Sequence, residues 1–226
     1  MQIIEIYRSI QGESSFAGLP CIFVRLAACN LRCVWCDSEY TFTGGKKMTA
    51  EDVELALTKL APGGLVEFTG GEPMLQEREL LPLMERLLAR GYTLLLETSG
   101  ERALENVPQA VHKIVDVKCP GSGEGGTFRT SNLAALSVRD EVKFVLTDRA
   151  DYEFARDFMR QHGLETRVNS VVLSPAFLKE PSRQRDSSNC SLDPRLLAEW
   201  MLEDGLNARL GLQIHKFIWD PAMKGV

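Results

Sequence analysis

Three cysteines, Cys29, Cys33 and Cys36, stand within eight residues of one another, directly after the apolar run Pro20–Ala27. Three thiolates in one short loop at the end of a strand can wrap three corners of a cubane iron–sulfur cluster, leaving the fourth iron free for a chelating small molecule. A zinc site is the alternative. It asks for four closed ligands, usually paired Cys-x2-Cys or Cys/His elements, and a second pair is missing here. Cys21 is the nearest spare thiol, but among Ile22, Phe23 and Val24 it reads as a small buried hydrophobe.

The chain has 226 residues and six cysteines, a length that suits one domain, 1–226, with a real core. Its start, Met-Gln-Ile-Ile-Glu-Ile-Tyr-Arg, has neither the basic opening nor the apolar stretch of a secretory signal, and no later run is long enough for a bilayer. A cytoplasmic location without a membrane partner is expected. In that compartment thiols stay reduced, so metal or redox duty outranks disulfides. A net charge of −5 argues against a nucleic-acid face and for a small-molecule substrate.

Short β-branched runs alternate with amphipathic helical patterns, the signature of parallel βα units. Strands are expected at Pro20–Ala27, Leu65–Thr69, Tyr92–Thr98, Lys113–Val117, Glu141–Leu146 and Thr166–Leu173. Thr49, with Asp52 three residues on, opens a helix to about Leu60; Glu77–Arg90, Asp151–His162 and Asp193–Asp204 read as further helices. About six such units are too few for a closed eight-fold barrel. The expected fold is therefore α/β: a partial, open βα barrel with a mostly parallel sheet. Cys119–Ser131 and Lys179–Ser191 are expected as loops.

Thr69-Gly70-Gly71-Glu72-Pro73 follows the second expected strand. Two glycines let backbone approach a ligand closely, and the carbonyls and carboxylate can accept from an ammonium group. The Cys-x3-Cys-x2-Cys spacing, the aromatic Trp35 before the last cysteine and this turn together resemble the radical S-adenosylmethionine superfamily. Ser9-Ile10-Gln11-Gly12-Glu13 and Phe23-Val24-Arg25-Leu26 resemble the 7-carboxy-7-deazaguanine synthases within it, as do Glu97-Thr98-Ser99-Gly100, Asp116-Val117-Lys118-Cys119-Pro120, Glu141-Val142-Lys143-Phe144, Leu173-Ser174-Pro175 and Leu212-Gln213-Ile214-His215-Lys216.

The resemblance implies a radical lyase of queuosine and 7-deazapurine biosynthesis. It would convert 6-carboxy-5,6,7,8-tetrahydropterin to 7-carboxy-7-deazaguanine with loss of ammonia, using a [4Fe-4S] cluster on Cys29, Cys33 and Cys36 and S-adenosyl-L-methionine. Substrate contacts are implied for Ile10, Gln11, Gly12, Glu13, Arg25, Thr69, Gln213 and His215, with Arg25 suited to a carboxylate. Gln213 and His215 are read as part of a late strand, where a lone histidine is equally a core residue. Cofactor contacts are implied for Trp35, Asp37, Gly71, Glu72, Cys119, Pro120, Gly121, Ser174 and Pro175. No side chain is assigned as acid or base. Mg2+ is expected on Ser38, where many members carry threonine; the oxygen ligand is kept. A homodimer and a flavodoxin-like electron donor complete the family's implications. Two rivals stand beside this reading: a glycyl-radical activase, which would need a docking groove for a protein, and a non-catalytic zinc or iron–sulfur module.

Overall fold

Strand β1, Gln2–Ile10, runs antiparallel to β2, Pro20–Leu26, with Ile6 opposite Val24 and Ile10 opposite Pro20. The computed structural model describes every residue except Arg183, Pro221, Ala222 and Val226. After the short edge strand β3, Lys46–Lys47, comes α1, Ala50–Leu60. Its capping box is formed: Thr49 Oγ1 accepts from the Asp52 N–H, and the Asp52 carboxylate accepts from the Thr49 N–H. The chain continues as β4, Leu65–Gly70; α2, Glu77–Ala89; β5, Thr93–Thr98; β6, His112–Asp116; and β7, Glu141–Leu146. It ends through α3, Arg149–His162; α4, Leu164–Arg167; β8, Ser170–Pro175; α5, Pro194–Glu203; β9, Arg209–Leu210; and α6, His215–Ile218.

Among the described residues nine strands form one sheet in the order β3-β1-β2-β4-β5-β6-β7-β8-β9, parallel from β2 to β9. The sheet stays open, since β3 and β9 form its two edges and do not meet. Among the described residues no helix is long and apolar enough to cross a membrane.

Side chains alternate faces along each strand. One face carries Ile22, Val24, Val66, Phe68, Leu94, Leu96, Val115, Val142, Phe144, Val171 and Leu173, and it packs against the helices as the core. The opposite face carries Phe23, Arg25, Glu67, Thr69, Glu97, Asp116, Glu141 and Lys143 at the alternate positions. Parallel strands covered on both sides are normally apolar throughout. Here the second face is also buried, with Glu67, Lys143 and Glu141 each under 4% exposed, yet beside the apolar Leu95, Ile114, Val145 and Val172 it carries these charged side chains.

The structure departs from the sequence expectation in several places. Strand β1 was absent from it, because an antiparallel partner joined by the short Gln11–Leu19 connection has no helix between it and β2 and falls outside the βα rhythm. The strand expected at Thr166–Leu173 begins only at Ser170: Gly163, left-handed at φ +58, ends α3, and the single turn α4 intervenes. Gln213 and His215 are not in a strand. Gln213 lies in the connection after β9, and His215 opens α6. Within the two expected loops the chain also makes short 3-10 turns, at Pro120–Ser122, Thr130–Ala135 and Ser187–Asn189.

Candidate active site

At the carboxyl ends of the parallel strands the polar face opens into a cavity of about 200 Å3, more than tenfold what one water needs. This is where open α/β sheets bind ligands. Its roof is the loop after β2. Cys29, Cys33 and Cys36 border it together with Trp35, Asp37 and Ser38. The root of that loop is set by the turn after β4. Gly70, at φ +130, would place a Cβ 2.2 Å from the Leu26 carbonyl oxygen, and Gly71 would place one 2.0 Å from that of Ala28. Glycine is therefore required at both positions by the approach of chain to chain.

All six cysteines are free thiols, and among the described residues no group of three or more His, Cys, Asp or Glu side chains is gathered to hold a single metal ion. The three loop thiols border the cavity as separate donors, which suits a group larger than one ion. Burial pushes the Cys33 thiol up to about 11, while the nearby Lys118 ammonium pulls the other way. An iron–sulfur cluster would take these donors as thiolates, releasing their protons. Lys118 lies 4.9 Å from the Trp35 ring centroid and donates to Asp116 at 2.7 Å. Trp35 Nε1, Asp116 Oδ1 and Gln213 Oε1 are buried without a hydrogen-bond partner among the described residues, and all three residues line the cavity. Buried polar atoms without partners are rare. Their grouping around one cavity fits a site built for polar ligands beside a thiol-held cluster.

The connection between β1 and β2 forms one wall, through Ile10, Gln11, Gly12 and Glu13. Gln11 is 2% exposed: Oε1 accepts from the N–H groups of Glu13 and Ser14, and Nε2 donates to Glu67 at 3.1 Å. It shapes the turn. Burial opposes ionisation of Glu13, but the Lys143 ammonium at 2.8 Å holds its carboxyl down at about 2. Lys143 also pairs with Glu97 and reaches Asp116 at 3.9 Å, so one cation serves three acids. His215 Nε2 is 4.0 Å from Glu13, and burial lowers its basicity, leaving the ring neutral at pH 7. Gly12 makes room for that ring: a Cβ there would lie 2.4 Å from His215 Nδ1.

Arg25 is a paired cation. Its Nε donates to Glu5 and its Nη2 to the Tyr7 hydroxyl, each at 2.9 Å, and Tyr40 donates to the same Glu5 oxygen. Two of the five guanidinium N–H groups are thus used, and the others have no partner among the described residues. Across the cavity Lys216, only 6% exposed, donates to Asp37 at 2.6 Å, while Ser38 donates to the other Asp37 oxygen.

Of the residues expected at the site, Ile10, Gln11, Gly12, Glu13, Arg25, Thr69, Gln213, His215, Trp35, Asp37, Ser38, Gly71 and the three loop cysteines line this cavity. Glu72, Cys119, Pro120, Gly121, Ser174 and Pro175 are not among its lining residues. Glu72 is turned inward and accepts from Met74 N, Thr98 Oγ1, Ser99 N and Ser99 Oγ, which fills a buried carboxylate's need for donors. Cys119 is fully buried in the helix-side core, and Gly121 N donates to Asp151. Ser174 and Pro175 are buried at the end of β8. The ionisable lining residues that the sequence reading gave no role are Tyr7, Glu67, Glu97, Asp116, Lys118, Lys143 and Lys216. For Glu67, Glu97, Asp116 and Lys143 a signal was available: a charged residue at an alternate position of a strand whose other face is core.

Comparison with known proteins agrees with this arrangement. Residues 24–120 match the model of the Radical SAM superfamily. The chain is 69% identical over 226 residues to a 7-carboxy-7-deazaguanine synthase of Koribacter versatilis, covering all of both chains. It is 41% identical over 230 residues to one of Chlorobaculum tepidum, covering 100% of this chain and 97% of that one. In structure it is similar to QueE from Escherichia coli, with a TM-score of 0.72 over 94% of this chain and 93% of that one at 24% identity, a likeness of fold. The open, mostly parallel sheet beneath a three-cysteine loop, with full-length similarity to these enzymes, makes the chain a member of the 7-carboxy-7-deazaguanine synthase family within the Radical SAM superfamily.

Proposed function

We propose that this chain converts 6-carboxy-5,6,7,8-tetrahydropterin to 7-carboxy-7-deazaguanine with loss of ammonia, as a radical lyase of queuosine and 7-deazapurine biosynthesis. The reading rests above all on one observation. A single cavity joins the three loop thiols to the Gln11–Glu13 turn, Arg25 and His215. The family implies a [4Fe-4S] cluster and S-adenosyl-L-methionine, and the donor set suits them. Bound there, the cluster and S-adenosyl-L-methionine would supply radical chemistry, with the protein supplying orientation.

The chain's own residues bind and orient. Cys29, Cys33 and Cys36 would hold the cluster, and the Gly70-Gly71 turn fixes the loop that carries them. The free N–H edge of Arg25 and the Lys216 ammonium are the cations suited to a substrate carboxylate. Glu13, held ionised by Lys143, presents a fixed negative charge to pterin N–H groups, while neutral His215 and the unpartnered Gln213 Oε1 offer further polar contacts. Burial of this wall excludes water from a reactive radical.

The same proposal includes one radical SAM core domain, a Mg2+ ion with Ser38 as an oxygen ligand, a flavodoxin-like electron donor, a homodimer and a cytoplasmic location. Ser38 Oγ and the Asp37 carboxylate stand together on the cavity rim, hard oxygen donors of the type Mg2+ takes. The test is anaerobic reconstitution with iron and sulfide, followed by addition of the carboxytetrahydropterin, S-adenosyl-L-methionine, Mg2+ and a strong reductant. Mass spectrometry is expected to find 7-carboxy-7-deazaguanine. Cleavage of S-adenosyl-L-methionine with the pterin untouched would reject the substrate.

A further inference from the structure

Four polar contacts run in a chain across the cavity floor, from Glu67 to Glu97. Gln11 Nε2 donates to Glu67 Oε2 at 3.1 Å, and Gln11 Oε1 accepts from Glu13 N at 2.9 Å. Glu13 Oε2 accepts from Lys143 Nζ at 2.8 Å, and Lys143 donates again to Glu97 Oε1. The junction lies between Glu97 and Glu67, which stand on the same face of the adjacent parallel strands β5 and β4 and both line the cavity. Glu97 has no donor to offer, since Oε1 faces Lys143 and Oε2 accepts from Thr69 Oγ1 at 3.4 Å. Nor does Gln11 supply one to the junction. Its oxygen is fixed by two backbone N–H groups, so its amide nitrogen is committed to Glu67. Among the described residues the buried Glu67 carboxyl has one neutral side-chain donor and no ion-pair partner, which favours a junction that holds a proton.

We propose that Glu67 carries that proton, and that as a neutral acid it is the positioning residue tying the Gln11–Glu13 turn to Glu97 on the substrate side of the cavity. The placement supports this. Glu67 is 1% exposed and has no ion-pair partner among the described residues, Lys143 is already shared by Glu13, Glu97 and Asp116, and a second carboxyl facing the same buried cavity disfavours ionisation further. The groups sharing its face are Tyr7 on β1, Cys21 and Arg25 on β2, Gln11 and Glu13 in the connection, Glu97 on β5 and Lys143 on β7. Burial first, and then Glu97, raises its pKa well above the ordinary carboxyl range. The proposal rests on the pterin-lyase reading for its catalytic consequence, but the proton itself is independent of it.

The decisive variant is Glu67→Gln, which keeps the shape and offers an N–H to Glu97 and an oxygen to Gln11. The first readout is thermal unfolding between pH 5 and 8, which needs no substrate. A raised carboxyl stabilises the fold while neutral, below its unfolded value, and loses that contribution as pH rises towards its folded value. Wild type is therefore expected to lose melting temperature relative to Glu67→Gln as pH rises. A difference that is flat or of opposite sign overturns the proposal. The second readout is turnover: Glu67→Gln is expected within about threefold of wild type, whereas Glu67→Ala, leaving buried partners unsatisfied, raises KM for the pterin by about tenfold. If Glu67→Gln loses as much as Glu67→Ala, the carboxylate itself is needed and the proposal fails. If wild type makes no deazaguanine yet the melting difference behaves as stated, the reaction is wrong and the shared proton stands.

Discussion

A Cβ on Gly71 would lie 2.0 Å from the carbonyl oxygen of Ala28, and that oxygen already accepts from Glu72 N at 2.8 Å. Ala28 is itself left-handed, at φ +75, the conformation that starts the cysteine loop. The turn after β4 and the root of the loop are thus a single backbone contact. Neither atom can swing away. Gly71→Ala is expected to displace the loop at a cost on the order of 1–3 kcal/mol, enough for a roughly tenfold fall in iron taken up on reconstitution. Iron analysis beside circular dichroism tests this; full iron content in a folded variant would show that the contact yields.

Lys143→Met removes the cation shared by Glu13, Glu97 and Asp116. Leaving buried acids without their partner is expected to cost about 3–5 kcal/mol and to abolish turnover. Urea unfolding curves measure the first part. Coincident curves for the two proteins would mean that the network adds nothing to stability.

The Glu13–Lys143 pair also sets an acid limb. Glu13 is held down at about 2, below its unfolded value of about 4.3. Its contribution is present above the unfolded value and lost as pH falls towards the folded one. Wild type is expected to lose stability through this window, and Lys143→Met to show a shallower slope there. Equal slopes in a pH series of melting curves would assign the acid limb to other carboxyls.

Gly12→Ala would push against His215 Nδ1 from 2.4 Å and disturb the contact between Ile214 N and Gly12 O, 3.0 Å long, that seats α6. The expected outcome is a KM for the pterin raised by about tenfold, the scale of one lost hydrogen bond, with iron content unchanged. An unchanged KM would show that the His215 ring relaxes without consequence for binding.

Thr49→Ala serves as the control far from the cavity. It removes the cap of α1 and is expected to lower stability by about 1 kcal/mol with activity unchanged. Thermal unfolding and turnover, measured on one preparation, check both halves.

The sequence by itself determined the local parts. The cysteine spacing marked the loop, Thr49 and Asp52 marked the start of α1 to the residue, and the βα rhythm set strands β4 to β7 within a residue or two. Such features depend on chain neighbours, and neighbours are what a sequence records. Tertiary structure alone decided which polar residues meet. Glu13 and Lys143 are 130 positions apart, and they touch because β1's connection and β7 face one cavity. The same holds for Glu72, whose carboxylate was free to face a ligand until Thr98 and Ser99, on the neighbouring strand end, supplied its donors. A buried acid takes whatever partners the fold brings within hydrogen-bond reach, and that distance is fixed by sheet order and register rather than by position along the chain.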